Sequence, residues 1–253
     1  MLLPLLLSLG LAAPAAAQTG ITLRAISPGF IYNAGLIDLA AGFTAQTGIK
    51  TTAHPEGMTQ MVPDAENGNP SADLVFLPNN LMDKLEADKA IVPGSRIAIG
   101  RVNIGLAIHK GDPIPDISTV DKLAAVLKAA DSVMYSNPKG GSMEAGIIDN
   151  MLNSRPELAG IKRKISTNGE GGQAVARGDG QMALQLICEI INHPDALSNA
   201  GPLPEELHAW IDGSAAVLAR STHPKEAAQF LKYITQPGTY SLWLGKGLVR
   251  AND

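Results

Sequence analysis

The chain has a single cysteine, Cys188, among its 253 residues, so it cannot form an intrachain disulfide. Cys188 lies in the apolar run 182–191. A small buried side chain is the expected role there, because a reactive thiol needs a neighbouring group that lowers its pKa. The five histidines include no pair spaced i, i+4, which argues against a zinc site. We expect neither a metal nor another cofactor.

Clustered positive charge and aromatic side chains are also scarce. The chain has 20 Lys and Arg against 24 Asp and Glu, and 4% of its residues are aromatic. A nucleic-acid-binding surface needs a basic patch, often with aromatic platforms, so we exclude a nucleic-acid partner.

Hydrophobic residues make up 45% of the chain, enough for one large α/β domain or two lobes. We predict a monomer.

One hydrophobic run stands out, at the N-terminus. Residues 1–17 read MLLPLLLSLGLAAPAAA, and an apolar core followed by small residues is typical of a secretory signal peptide. The run is short and is interrupted by Pro4 and Pro14, which disfavours a membrane-spanning helix. The alternative is an anchored or buried helix, because the usual basic residue before the core is missing. We predict a periplasmic protein.

Strand-like and helix-like segments alternate along the rest of the chain. This alternation predicts an α/β protein with parallel sheets covered by helices. Ligands of such sheets bind beyond the carboxyl ends of the strands. The predicted strands are 21–23, 49–53, 73–77, 102–108, 132–135, 182–187 and 215–219. The predicted helices are 33–47 with Gly48 past its end, 80–87, 119–130 with a Ser118–Asp121 capping pair, 142–152, and two near the C-terminus.

The loop 136–143, SNPKGGSM, is the strongest candidate for ligand binding. Gly141 frees the backbone to turn its N–H groups toward a ligand, Ser142 adds a hydroxyl, and Lys139 adds a positive charge. An ordinary helix N-cap preceded by a glycine turn is the alternative. Three more loops at the ends of predicted strands are weaker candidates: they contain Ser27, Met58 with Thr59, and the glycine-rich segment 168–173.

Catalytic motifs are incomplete. No nucleophile elbow, phosphate loop or dinucleotide fingerprint is present. Glu56, Glu144 and Glu170 lie on the candidate loops, where each could reach a cleft, although Glu144 would repel an anion. We therefore favour a binding protein over an enzyme.

Several segments, in this order, resemble periplasmic molybdate-binding-type proteins, which have the type II solute-binding fold. They are ITLRA (21–25), ADLVFL (72–77) and RVNIGLA (101–107), while 115–120, the Ser142 loop and 201–207 resemble the branch with aconitate isomerase-like proteins. The resemblance implies two α/β lobes joined by a hinge of two crossing strands. The implied order is a signal peptide at 1–17, lobe 1 at 18–100, lobe 2 at 101–213, and a return to lobe 1 at 214–253.

The resemblance also implies a binding site. The family holds its oxyanion with hydroxyls and backbone amides from both lobes, which correspond here to Ser27, Met58, Thr59, Gly141 and Ser142. Gln185 lies near the position of a tyrosine common in the family. The second loop, GMTQ at 57–60, lacks the run of serines of molybdate-binding members.

Arg101 and Lys139 favour a carboxylate ligand, with solvated surface charge as the alternative for both. We predict an exported solute-binding protein that closes on a molybdate-like oxyanion or a small carboxylate for the permease of an ABC-type importer. The alternative is a cofactor-free tricarboxylate isomerase of the aconitate isomerase type, with Glu56, Glu144, Glu170 or His54 as its base.

Overall fold

The structure, a computed structural model, describes residues 20–68 and 71–250. The predicted signal peptide, 1–17, lies outside these residues. The strands are β1 (Thr22–Ser27), β2 (Lys50–Pro55), β3 (Leu74–Pro78), β4 (Ile97–His109), β5 (Val133–Tyr135), β6 (Arg163–Ile165), β7 (Met182–Leu186), β8 (Leu197–Pro202), β9 (Trp210–Val217) and β10 (Leu248–Val249). The helices are α1 (Gly29–Ile31), α2 (Ile37–Thr47), α3 (Met58–Asn67), α4 (Asn79–Ala87), α5 (Val120–Ala129), α6 (Met143–Ser154), α7 (Gly171–Ala176), α8 (Ile187–Ile191), α9 (Pro224–Ile234) and α10 (Pro237–Gly245).

The long strand β4 belongs to both halves of the molecule. Its first part, up to Asn103, pairs with β9 in a sheet of order β2-β1-β3-β9-β4. Its second part, from Ile104, pairs with β7 and leads into the order β4-β7-β5-β6, while β8 also pairs with it. The chain therefore crosses from one lobe to the other along β4 and returns along β9. This is a two-lobed α/β fold with crossing strands, as predicted.

The sheets are mixed rather than parallel throughout, which corrects the prediction. β1 pairs in parallel with β2 and β3, and β5 pairs in parallel with β6 and β7. The crossing strands β4 and β9 pair antiparallel with each other. In addition, β9 pairs antiparallel with β3, and β4 pairs antiparallel with β7. The reason is the path of the chain, because the outgoing and returning connections between the lobes run in opposite directions.

Three local predictions were wrong in detail. The segment after Gly57 forms α3, a helix that contains Pro63, whereas only a loop was predicted there. The helix predicted to begin at Asn33 is preceded by α1 and by a π-helical turn, Tyr32–Leu36. Thr119, not Ser118, caps α5, because Thr119 has the extended backbone of an N-cap and accepts a hydrogen bond from the Lys122 N–H. The other predicted elements are confirmed to within a few residues, apart from β4 and β9, which begin earlier than predicted.

The C-terminal helices pack on the first lobe. Phe230 of α9 meets Phe43 of α2 edge-on, with ring centroids 5.2 Å apart, and Trp243 of α10 is fully buried. Within residues 20–68 and 71–250, no helix is long and apolar enough to cross a membrane. The predicted lobe boundaries, at 100/101 and 213/214, stay a prediction.

Substitution of Gly100 tests the close packing of the crossing strand β4 against β9 and β10. It pairs with Gly213 of β9, has φ +128, and a Cβ there would overlap the carbonyl oxygen of Val249. We expect Gly100→Ala to lower the free energy of unfolding by about 3 kcal/mol, through backbone strain and overpacking. Gly146→Ala is the control, because that exposed glycine of α6 has open space around its Cβ position and the change should raise stability by up to about 1 kcal/mol. Equal stability of the two variants in urea unfolding would contradict this account of the crossing.

Candidate ligand-binding cleft

A cavity of about 320 Å³ opens where strand ends from both sheets face each other. Its size suits a small molecule. The lining residues come from the loops that follow β1, β2, β5 and β6, from the end of β7 with the start of α8, and from β9. They are Pro28, Gly29, Phe30, Asn33, Glu56, Gly57, Met58, Gly140, Gly141, Ser142, Met143, Glu144, Glu170, Leu186, Glu189 and Ile211.

Two long helices begin at this cavity, one from each lobe. Helix α3 starts at Met58 with Gly57 as its N-cap, and neither a side-chain cap nor an acidic residue occupies its first turn. Its first N–H groups therefore have no partner within the helix and carry partial positive charge. Helix α6 starts after Ser142, whose Oγ accepts a hydrogen bond of 3.3 Å from the Ala145 N–H. The N-cap role of Ser142, which was the alternative to ligand binding, is thus observed in the same loop that lines the cavity.

Four carboxyl side chains line the cavity. Glu56 is paired with Arg24, and we call the other three, Glu144, Glu170 and Glu189, the glutamate triad. Glu144 and Glu189 are buried, with 6% and 7% of their surface exposed, and Glu170 is half-buried. None of the described lining residues is Lys, Arg or His. The triad therefore faces the cavity without a counter-charge in its lining.

Hydrogen bonds hold each carboxyl of the triad in place. Asn33 Nδ2 donates to both carboxylate oxygens of Glu189, at 3.1 and 2.9 Å. Gln185, which is fully buried, donates to Glu170 and accepts from the Gly172 N–H. Glu144 accepts from the backbone of Leu186, but its Oε1 is buried with no hydrogen-bond partner in the described part of the chain.

The surroundings of the triad favour the protonated carboxyls. Burial, reinforced by the charges of Glu170 and Glu189, raises the pKa of Glu144 to about 8. Burial and the charge of Glu189 raise the pKa of Glu170 to about 7, although the hydrogen bond from Gln185 opposes this shift. Burial raises the pKa of Glu189 too, against the hydrogen bond from Asn33. At neutral pH the triad therefore still holds protons.

The structure brings some of the predicted site residues together at this cavity. Met58, Gly141 and Ser142 line it. Ser27 is fully buried directly before the lining residue Pro28, and its Oγ has no hydrogen-bond partner among the described residues. Gln185 lies behind Glu170, as its hydrogen bond shows.

Thr59, Lys139 and Arg101 are placed elsewhere. Thr59 and Lys139 are exposed and do not line the cavity. Lys139 lies on a short 3-10 turn, Pro138–Gly140, before the glycine that enters the cleft. Arg101 shares a face of β4 with Asn103, since side chains alternate along a strand, and both line a separate cavity of about 550 Å³. There its guanidinium lies 4.5 Å from the centre of the Trp210 ring and 3.3 Å from Glu205.

The sequence profile of bacterial extracellular solute-binding proteins matches residues 29–248. The chain belongs to this family. It is 30% identical to an aconitate isomerase of a Pseudomonas species over 223 residues, which are 87% of this chain and 84% of that protein.

Solved structures of solute-binding proteins are similar to this chain in fold. The substrate binding domain of a putative molybdenum ABC transporter from Clostridium difficile superposes with a TM-score of 0.75 at 12% identity, over 91% of this chain and 99% of that one. The periplasmic molybdate-binding protein of Azotobacter vinelandii gives 0.62 at 16% identity, over 90% and 98%. These likenesses confirm the predicted type II solute-binding fold.

In this solute-binding protein, sequence reasoning identified Glu56, Glu144 and Glu170 as residues that could reach the cleft, and all three line it. Glu56 is paired with Arg24 at 3.2 Å. Sequence reasoning missed Glu189 and its partner Asn33. One signal was available for Glu189, because it is the only charged residue in the apolar run 182–191. Cys188 beside it is fully buried and burial raises the pKa of its thiol, so the expected role as a small buried side chain fits its surroundings.

The raised pKa of Glu144 predicts how stability depends on pH. The folded state binds this proton more tightly than the unfolded state, whose Glu pKa is 4.5. The resulting stabilisation is complete below pH 4.5 and is lost as pH rises to about 8, with a total of about 5 kcal/mol. We expect Glu144→Gln to be more stable than the native chain at pH 8.5, with a smaller loss of stability between pH 5 and 8.5.

Urea unfolding of both proteins across this pH range measures the effect. Glu157→Gln is the matched control, because Glu157 is exposed on the turn Pro156–Leu158 and should follow the native pH profile. If Glu144→Gln also follows that profile, the Glu144 carboxyl does not hold a proton in the folded protein.

Proposed function

We propose that this solute-binding protein acts in the periplasm, where its two lobes close on a small carboxylate and present it to the permease of an ABC-type importer. The observation that carries the proposal is the shared cavity at the start of α3 in one lobe and α6 in the other. A ligand bound there contacts both lobes at once, so its binding favours the closed arrangement.

The start of α3 is suited to a carboxylate. Its first-turn N–H groups are uncapped, and a helix N-terminus favours negative charge. Gly141, at φ +82 with open space at its Cβ position, lets the opposite loop bring its backbone close to the ligand. The two loops together offer N–H donors from both sides of the cleft.

A carboxylate suits the cleft better than a molybdate-like oxyanion. A tetrahedral dianion needs donors on all sides, but the triad adds three acidic groups to the lining. A carboxylate is charged at one end only, so it can turn that end to the amides and keep it away from the triad. The aconitate isomerase among the relatives, an enzyme of a tricarboxylate, supports the same ligand class.

The proposal that the ligand is delivered to a permease is supported by proteins of the same fold. Solute-binding proteins of this fold include the substrate binding domain of a putative molybdenum ABC transporter. The crossing strands β4 and β9 provide two connections about which the lobes can rotate. Closure would then produce the face that a permease recognises.

A proline substitution tests the amide at the start of α3. Pro is tolerated at the first position of a helix but has no N–H, and the preceding Gly57 has the extended backbone that Pro requires (φ -68, ψ 132). We expect Met58→Pro to bind the ligand at least about tenfold more weakly than Met58→Ala, which keeps the N–H, because one charge-assisted hydrogen bond is lost.

The ligand for this comparison comes from calorimetry with mono-, di- and tricarboxylates, molybdate and sulfate. Tighter binding of molybdate than of every carboxylate would contradict the proposed ligand class. Equal affinities of the two Met58 variants would show that the start of α3 does not hold the ligand.

A second candidate function is isomerisation of a tricarboxylate, favoured by the pKa values of Glu144 and Glu170. A general base works best with a pKa near the ambient pH, and the pKa of Glu170 is about 7. In a 1,3-proton shift, ionised Glu170 takes a proton from an allylic CH₂ of the substrate, the double bond moves, and protonated Glu144 returns a proton to the other end of the allyl system. Atoms and charges balance without a cofactor.

Proton NMR of cis-aconitate with the protein in D₂O tests this candidate. Isomerisation should produce trans-aconitate that contains deuterium, and Glu170→Gln should slow it at least about a hundredfold through loss of the base. No conversion over many hours at high protein concentration would remove the enzyme from consideration and leave the binding protein.

A further inference from the structure

The glutamate triad has no counter-charge in the cavity that it lines. Buried carboxylates are normally paired with a positive group, because an unpaired buried charge costs several kcal/mol. Glu144 is 6% exposed and its Oε1 has no partner among the residues described. A carboxyl oxygen that is buried, unpartnered and part of a cavity wall points to a hydrogen-bond donor supplied from outside the chain.

The elements around the triad supply little positive charge. Glu144 comes from α6, Glu170 from the N-cap of α7, and Glu189 from α8. Among the described residues, His193 acts on Glu189, and the guanidinium of Arg24 is paired with Glu56, the fourth carboxyl of the lining, at 3.2 Å. Cys188, beside Glu189, is a buried neutral thiol. None of these groups neutralises three carboxyls.

We propose that the ligand carries an ammonium group in addition to its carboxylate, and that the glutamate triad binds this ammonium while the start of α3 and the Gly141–Ser142 loop bind the carboxylate. The inference rests on the proposed function and narrows its ligand to amino acids and related amino carboxylates. An ammonium donates three hydrogen bonds, one for each member of the triad. The positive charge of the ammonium takes the place of the basic side chain that the cavity lining lacks.

An organic cation fits the triad better than a metal ion. In the described part of the chain, no group of three or more His, Cys, Asp or Glu side chains is arranged to hold a metal. Each carboxyl has a partner of its own: Asn33 for Glu189, Gln185 for Glu170, and the backbone of Leu186 for Glu144. An ammonium does not require the close oxygen ligands of a metal ion, because its hydrogen bonds are longer than metal–oxygen bonds.

The sign of the pH dependence distinguishes an amino carboxylate from a plain carboxylate. A bound ammonium favours ionised carboxyls, so binding releases protons and affinity rises from pH 6 to pH 8, where the triad loses its protons. A ligand whose second carboxylate lies against the triad requires protonated carboxyls there, so its affinity falls over the same interval.

The test uses pairs of probes that differ only in the amino group: succinate and L-aspartate, glutarate and L-glutamate, propionate and β-alanine, with ethylamine as the probe that lacks a carboxylate. Affinities are measured by calorimetry at pH 6 and pH 8 on protein treated with EDTA. We expect the amino member of at least one pair to bind at least about tenfold more tightly than its partner at pH 8.

Glu144→Gln separates the role of the triad from that of the amides. The substitution keeps the shape of the side chain and removes its charge, so we expect the preference for the amino member to fall by about tenfold while the affinity of the plain acid is unchanged or improved. Glu157→Gln, on the exposed turn, should keep the native preference.

The possible failures are distinct. Plain acids that bind as tightly as their amino partners overturn this inference and leave the proposed carboxylate function intact. Ethylamine binding as tightly as the amino acids would overturn the carboxylate function and leave the triad as a cation site. Binding of Ca²⁺ or Mn²⁺ that exceeds the affinity of every amino probe overturns the inference in favour of a metal. Absence of binding by every probe overturns both proposals.

Discussion

Burial of three carboxyls around one cavity is the constraint on which the chemistry of this cleft depends. Each member of the glutamate triad loses hydration when the chain folds, and the charges of its neighbours add to that cost. The chain meets this cost with protons and with hydrogen bonds from Asn33, Gln185 and the backbone of Leu186, none of which carries a positive charge. A carboxyl of the cleft can therefore release its proton when a ligand group binds to it.

The fold brings the triad together from distant parts of the sequence. Glu144 follows β5, Glu170 follows β6 and Glu189 follows β7, and these strands are neighbours in one sheet. Because parallel strands end at the same edge, the residues after them meet there. The crossing strands then set this edge opposite the ends of β1 and β2, which contribute Asn33, Glu56 and the start of α3.

This arrangement also explains what could be predicted from the sequence. Ser142 and Gly48 stand at helix ends whose chemistry is local, so the sequence indicated both caps, that of Ser142 as the alternative to ligand binding. Arg101 lines the other cavity because its place depends on which face of β4 turns toward the cleft, and that is decided by pairing with β9 rather than by a local pattern. The contact between Asn33 and Glu189 joins residues from opposite lobes, and no local pattern in either segment indicates the other.

Binding and proton transfer make opposite demands on the same three carboxyls. An ammonium between them supplies the missing charge and lowers their pKa values, so the triad loses the protons it would need for acid–base chemistry. A ligand without a positive group leaves the pKa values of Glu144 and Glu170 close to neutrality, where a carboxyl can both give and take a proton. If the cleft binds as we propose, the charge of the ligand, more than the fold that this chain shares with its relatives, decides whether the ligand is held unchanged or altered.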